Sequence, residues 1–128
     1  MEKTPPAKIP AKGLWRIWRA LGYSLRGLQA CCRNEAAFRQ EIVLFALLLP
    51  VLLLLPVSTL LQLLLLIVNT LVLIAELINS TIEAVVNITS PEYNELAGQA
   101  KDMASAAVLL ALILAAATWA VAIYQAFG

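Results

Sequence analysis

The sequence predicts an all-α membrane protein: an N-terminal amphipathic surface helix followed by three transmembrane helices. Of its 128 residues, 62% are hydrophobic and 13% charged, whereas soluble domains are nearer half apolar. Apolar runs of membrane-crossing length recur, separated by short polar or proline-bearing connections. Eight of the nine Lys/Arg precede residue 40 and the ninth is Lys101, the asymmetry of a chain threaded through a bilayer.

Residues 1–13 hold Pro5, Pro6, Pro10, Gly13 and three lysines, and read as a flexible basic arm near acidic lipid. Residues 14–128 read as a single membrane domain. In 14–33, Leu14, Trp18, Leu21, Leu25, Leu28 and Cys32 recur at steps of four and three. Arg16, Arg19, Tyr23, Arg26 and Arg33 form a second stripe roughly 100–200° away. A Trp/Leu stripe opposed by arginines describes a helix lying in the membrane interface.

The first span is expected over about 35–55, with Asn34 as its N-cap, Pro50 kinking it and Pro56 ending it. The second, over about 60–88, opens with a Thr59/Gln62 capping box. Ser90-Pro91 should start the next helix, with Glu92 and Glu95 in its first turns. Its membrane-crossing part is Met103–Phe127, where Trp119, Tyr124 and Phe127 read as an aromatic belt. The basic residues place the N-terminus and the Thr89–Asp102 connection in the cytoplasm, and the Pro56 turn and Gly128 outside.

The second span carries an anomaly. Asn69, Glu76, Asn79, Ser80, Glu83 and Asn87 fall within an arc of about 100° on one helix face. A carboxylate inside a bilayer helix costs roughly 2.5–3.5 kcal/mol on insertion scales, so partners or water must offset it. Polar contacts between helices, or a proton relay, would account for such a face; so would a reaction site. Counting residues from Leu60 puts Glu76 just inside the boundary and Glu83 about 10 Å further along. Glu35, Glu41, Asn79, Lys101 and Asp102 come to the same level.

Oxygen ligands at a water edge suit Mg²⁺. Glu35 and Glu83, in the wet zone, are the candidate ligands. Glu76, deeper and less solvated, suits general-base work. Lys101 offers a point charge to a phosphate. These residues support a cation-assisted reaction on an amphiphilic substrate. With no histidine, imidazole chemistry is excluded, and adjacent Cys31 and Cys32 give neither a disulfide framework nor a zinc spacing. Gly22 and Gly27 have P-loop spacing, but Leu28 and Gln29 stand where Lys and Ser/Thr are required. No nucleic-acid partner is expected. Duller explanations stay open for single residues: a Glu35–Arg39 helix ion pair, Lys101 and Asp102 as boundary anchors, Asn69 as a contact between helices, Ser105 as a small packing residue.

From about Arg16 to Gly128 the chain resembles the small integral-membrane diacylglycerol kinases of Gram-negative bacteria. The resemblance rests on "NEAAFRQE" at Asn34–Glu41, "AELINSTIEAVVN" at Ala75–Asn87 and "EYNELAGQAKDMASAAV" at Glu92–Val108. It implies a homotrimeric helical bundle in the inner membrane, with active sites shared between subunits. It implies transfer of the ATP γ-phosphoryl group, with Mg²⁺, to the primary hydroxyl of diacylglycerol. Glu76 would be the general base, supported by Asn79, and Glu35 and Glu83 the metal ligands. Arg16, Tyr23, Glu35, Glu83, Glu92, Tyr93, Asn94, Lys101 and Asp102 fall at nucleotide positions. Arg16, Ala37, Phe38, Arg39, Gln40, Glu41, Glu76, Ser105, Trp119 and Tyr124 fall at lipid positions. Asn94 stands where the family has a histidine, and Asn87 where it has an aspartate. An isoprenoid-alcohol (undecaprenol) kinase of the same architecture is one alternative, a non-enzymatic membrane oligomer with a polar helix interface another.

Overall fold

The computed structural model describes residues 13–128; the basic arm expected over 1–13 lies, apart from Gly13, outside them. The described residues form four helices and no strand: α1 (Leu14–Asn34), α2 (Ala36–Leu54), α3 (Thr59–Thr89) and α4 (Glu95–Phe127). The last three are long and apolar enough to cross a membrane. At 1.5 Å per residue, α3 and α4 run roughly 46 and 50 Å, against about 30 Å of hydrocarbon. Each must therefore stand clear of the apolar layer, and the polar residues mark where: the C-terminal end of α3 and the N-terminal end of α4.

The central element is α3. Its buried residues Leu61, Leu65, Val68, Val72 and Ala75 alternate steps of four and three, and Asn69 and Glu76 are buried beside them. Facing it, α4 buries Ala104, Val108, Ala111, Ala115 and Ala122. Small residues let two backbones approach closely where lipid supplies no hydrophobic drive. One core cluster joins Val68, Val72 and Ala75 to Val108, Ala111 and Ala115. A second, towards the α2–α3 turn, joins Leu52, Leu61, Leu65 and Ala122, with Trp119 packed against it. In contrast, α1 buries only Cys31. Leu14 is 85% exposed, and Trp15, Trp18, Leu21, Leu25 and Leu28 are exposed too, a stripe left for a lipid surface.

Three expected helix starts are corrected. Asn34 does not cap α2: it ends α1, and Glu35 alone, in extended conformation, separates the two helices. One residue leaves no room for a side-chain cap, and Arg39 serves the corner instead. Its Nη1 donates to the carbonyls of Cys32 (2.8 Å) and Arg33 (3.0 Å), which α1 leaves free at its end.

Ser58, not Thr59, caps α3, accepting from the Leu61 N–H at 3.2 Å. Thr59 is already helical, and Gln62 donates instead to the Leu53 carbonyl at the end of α2 (3.1 Å). Ser90-Pro91 does not open α4; Asn94 does, its Oδ1 accepting from Leu96 N (2.9 Å) and Ala97 N (3.3 Å). Glu95 consequently occupies the first turn, and Glu92 lies outside the helix. Pro50 sits inside α2, which continues to Leu54.

Candidate functional site

The wet end of α3 supplies the site's centre. Glu76 is 8% exposed, held against the bundle and not turned to lipid. It feels the negative charges of Glu41 on α2, Glu83 on α3 and Glu35 at the α1–α2 corner. Two segments distant in sequence, 35–41 and 76–83, thus bring four carboxylates into one electrostatic neighbourhood. One turn on, Asn79 Nδ2 donates to Glu83 Oε1 across a long 3.4 Å, and its Oδ1 is buried without a partner. A buried acceptor without a partner is thus left three residues from the buried acid.

Glu35 and Glu83 are half-buried. Among the described residues no group of three or more acidic or thiol side chains is gathered as a metal cage. Two carboxylates fit Mg²⁺ nonetheless, since that ion commonly takes one or two protein carboxylates and completes its shell with water and substrate phosphates.

The α1–α3 contact lies alongside. Glu35 shares a crevice with Gly27, Ala30, Cys31, Asn34, Leu77, Ser80, Thr81 and Ala84. Burial pushes the Cys31 thiol up, and a hydrogen bond with Ser80 pulls it partly back. The sequence stripe selected Cys32; the docked neighbour is Cys31. Arg16 and Tyr23 stay on the exposed face of α1, with the Arg26 guanidinium 4.9 Å from the Tyr23 ring centre.

A polar pocket opens where α3 meets α4. Glu92, Tyr93, Asn94, Lys101 and Asp102 line it together with Asn87. Five expected nucleotide positions are therefore neighbours, while Arg16, Tyr23, Glu35 and Glu83 do not line it. Lys101 Nζ donates to Asn87 Oδ1 at 2.7 Å. Asn87 is a neutral partner, so it orients the ammonium without cancelling its charge. The polar periodicity of α3 placed Asn87 on the right face, but nothing local could pair it with a lysine across the loop.

On the other side of the site an apolar cavity of about 220 Å³ lies between α2, α3 and α4. Its wall runs from Glu41 past Leu44, Phe45 and Leu48 to Asn69 and Trp119. Along α2 that is a descent of roughly 10 Å from the acid level. Trp119 departs from the belt reading: its Nε1 donates to Asn69 Oδ1 at 2.9 Å, tying α4 to α3. Asn69 Nδ2 is buried with no partner. Leaving such a donor unmatched costs about 1–3 kcal/mol, more than the roughly 0.6 kcal/mol that an interhelical bond in a membrane averages. Among the other expected lipid positions, Phe38 is 0% exposed and belongs to the core. Arg39 and Gln40 border a shallow apolar groove with Val43, Leu44 and Leu47, and Ala37, Ser105 and Tyr124 face outward.

Three membrane-length helices, a buried acid on the central one, a polar pocket towards one end of the bundle and an apolar cavity within it are the features of a membrane protein. Comparison with known proteins makes the assignment specific. The family model for prokaryotic diacylglycerol kinase matches residues 22–123. A diacylglycerol kinase of Escherichia coli (strain K12) is 48% identical over 116 residues, 91% of this chain and 95% of that protein. One from Pseudomonas aeruginosa is 49% identical over 108 residues, covering 84% of this chain and 88% of the relative. One from Helicobacter pylori (strain J99) is 45% identical over 117 residues, 91% and 89% of the two chains. The chain belongs to the prokaryotic diacylglycerol kinase family. That membership favours an enzyme over the non-enzymatic oligomer.

Proposed function

We propose that the protein phosphorylates diacylglycerol at its primary hydroxyl, using Mg-ATP, to give phosphatidic acid at the cytoplasmic face of the bacterial inner membrane. The observation that supports this reading is a buried acid, Glu76, whose place on α3 falls between Val72, which lines the apolar cavity, and Val86 and Asn87, which line the polar pocket. The lipid's tails stay in hydrocarbon while its hydroxyl reaches the acid, and the nucleotide approaches from water. Glu76 accepts the hydroxyl proton as the new O–P bond forms and the bond from the γ-phosphorus to the β-bridging oxygen breaks, releasing ADP. Asn79 Oδ1 orients the hydroxyl. Positioning and charge stabilisation supply most of the acceleration in such transfers.

Glu35 and Glu83 would hold Mg²⁺, which when bound neutralises phosphate charge. Lys101, set by Asn87, and Asp102, Glu92, Tyr93 and Asn94 form the nucleotide side. Arg16 and Tyr23 reach the same nucleotide from exposed α1. Glu41 and Trp119 bound the acyl-chain cavity, and Arg39, Gln40, Ala37, Ser105 and Tyr124 complete the lipid side through α2 and the outer faces of α4, with Phe38 packed in the core behind them. These groups are spread around the bundle and three spans do not enclose them, which favours a homotrimer with shared sites. The N-terminus lies in the cytoplasm and Gly128 in the periplasm, following the basic residues.

The test is an acceptor comparison in mixed micelles. Diacylglycerol should be phosphorylated, undecaprenol poorly, and both reactions should cease when Mg²⁺ is chelated. Preference for undecaprenol would assign the chain to an isoprenoid-alcohol kinase activity, and the absence of ATP consumption would overturn the kinase reading.

A further inference from the structure

One buried polar contact is used by neither the carboxylate neighbourhood nor the polar pocket: the hydrogen bond from Trp119 to Asn69. Its sense is fixed by chemistry. An indole N–H only donates, so the amide oxygen of Asn69 must face Trp119 and Nδ2 must point away. Asn69 is 8% exposed, and Nδ2 meets neither solvent nor a partner. A leucine at this position with a phenylalanine at 119 would leave nothing unpaired. As a device for holding α3 to α4, the asparagine is therefore a poor choice.

What the bond does achieve is to fix a ring. The Trp119 indole lines the apolar cavity on one side and packs on the Leu52, Leu61, Leu65 and Ala122 cluster on the other. It is the partition between the two. The cavity is half open; Glu41 lines its upper end, and Asn69 and Trp119, the lining residues furthest from the acids along α3 and α4, form its floor. A side chain with two rotatable bonds would leave that floor unfixed without its polar anchor.

We propose that Asn69 is a positioning residue for lipid selection: by holding the Trp119 indole across the bottom of the cavity, it limits how deep an acyl chain can reach and so sets chain-length preference. This rests on the reading of that cavity as the acyl-chain site. A mere helix-to-helix contact would bear on stability alone.

The experiment measures kcat/KM for dihexanoyl, dioctanoyl, didecanoyl and dioleoyl glycerol in mixed micelles. The proteins are wild type, Asn69→Leu, Trp119→Phe and the double variant. Freeing the floor should shift the long-to-short ratio towards long chains by roughly three- to twenty-fold, the range of measured intramembrane hydrogen bonds. The KM for ATP should not move. Both single variants should shift the ratio in the same direction, and the double variant should add little to either, since both break one contact. Where Asn69→Leu fails to assemble, the Trp119→Phe ratio decides in the same sense.

Unchanged ratios in assembled single variants overturn the proposal, as does a fall in thermal stability with an unmoved profile. A wild-type protein that phosphorylates none of the four lipids removes the lipid-kinase reading itself, and the proposal with it. That outcome is distinct from a working kinase whose profile ignores residue 69.

Discussion

The two ends of the α3–α4 pair share one alternating seam and put it to opposite uses. Towards the α2–α3 turn, Leu61 and Leu65 meet Ala122 and Leu52 in a cluster with no polar member. Towards the other end the same seam passes through Val72, Ala75, Val108 and Ala111 and then carries Glu76, Asn79 and Glu83. The packing is similar at both ends, alanines of α4 lying against branched residues of α3, with Val108 and Ala75 exchanging those parts at the wet end. The difference lies in what is left over. The dry cluster has no polar member, and the nearest unpaired group is Asn69 Nδ2 at its edge, while the wet end holds a buried carboxylate, Glu76, and a buried acceptor without a partner, Asn79 Oδ1. Packing builds the scaffold, and the proposed site draws on the polarity that packing leaves unmet.

The largest expected effect breaks that contrast outright. Glu76→Gln removes the buried carboxylate from the wet end while keeping its shape. Removal of a positioned general base should lower kcat by about 10²–10⁴-fold. Phosphatidic acid formation in mixed micelles checks this, with gel filtration confirming the same assembly as wild type. Full turnover in that variant would take the proton-accepting role away from Glu76. The next effect separates the two sides of the site. Lys101→Ala should raise the KM for ATP about tenfold, the scale of one hydrogen bond to a charged group, and leave the KM for diacylglycerol in place. A change confined to the lipid would mean that Lys101 is a boundary anchor.

Much of this contrast was legible in the sequence, for one reason. A helix repeats every 3.6 residues, so the polar face from Asn69 to Asn87 could be counted without coordinates, and so could the level of Glu76. Features that depend on one residue's choice among close equivalents were not legible. Ser58 and Thr59 are both competent caps, as are Ser90 and Asn94, and only the path of the chain selects Ser58 and Asn94. Trp119 near the end of an apolar helix reads as a membrane belt because spacing does not say which way a ring turns; it turns inward, to an asparagine fifty residues earlier. The Lys101–Asn87 bond and the Cys31–Ser80 contact likewise join separate helices, and no local pattern announces them.

A smaller effect tests how the surface helix is tied to the wet end. Arg39 satisfies two carbonyls at the end of α1 while exposed itself, so solvent takes over part of its work when it is removed. Arg39→Ala should cost about 1 kcal/mol locally. It should speed hydrogen exchange in the last turn of α1, with little change in the amides of α3. Uniform loosening of all four helices would show that the corner supports the whole bundle and not α1 alone.

The smallest effect uses the paired cysteines as a gauge of that same docking. Cys31 is buried, its thiol is pushed up mainly by desolvation, and its bond with Ser80 only partly offsets this. Cys32 is half-exposed one residue away. Because the thiolate is the reacting species, fewer Cys31 thiolates exist at a given pH and fewer of them can be reached. Limited maleimide labelling near neutral pH, read by peptide mass spectrometry, should therefore modify Cys32 well before Cys31. In Arg39→Ala the gap should narrow, since a loosened α1 end exposes Cys31 more often. Equal rates in the unaltered protein would mean that α1 is not docked on α3 as described, and Glu35 would then lose its place in the neighbourhood of Glu76.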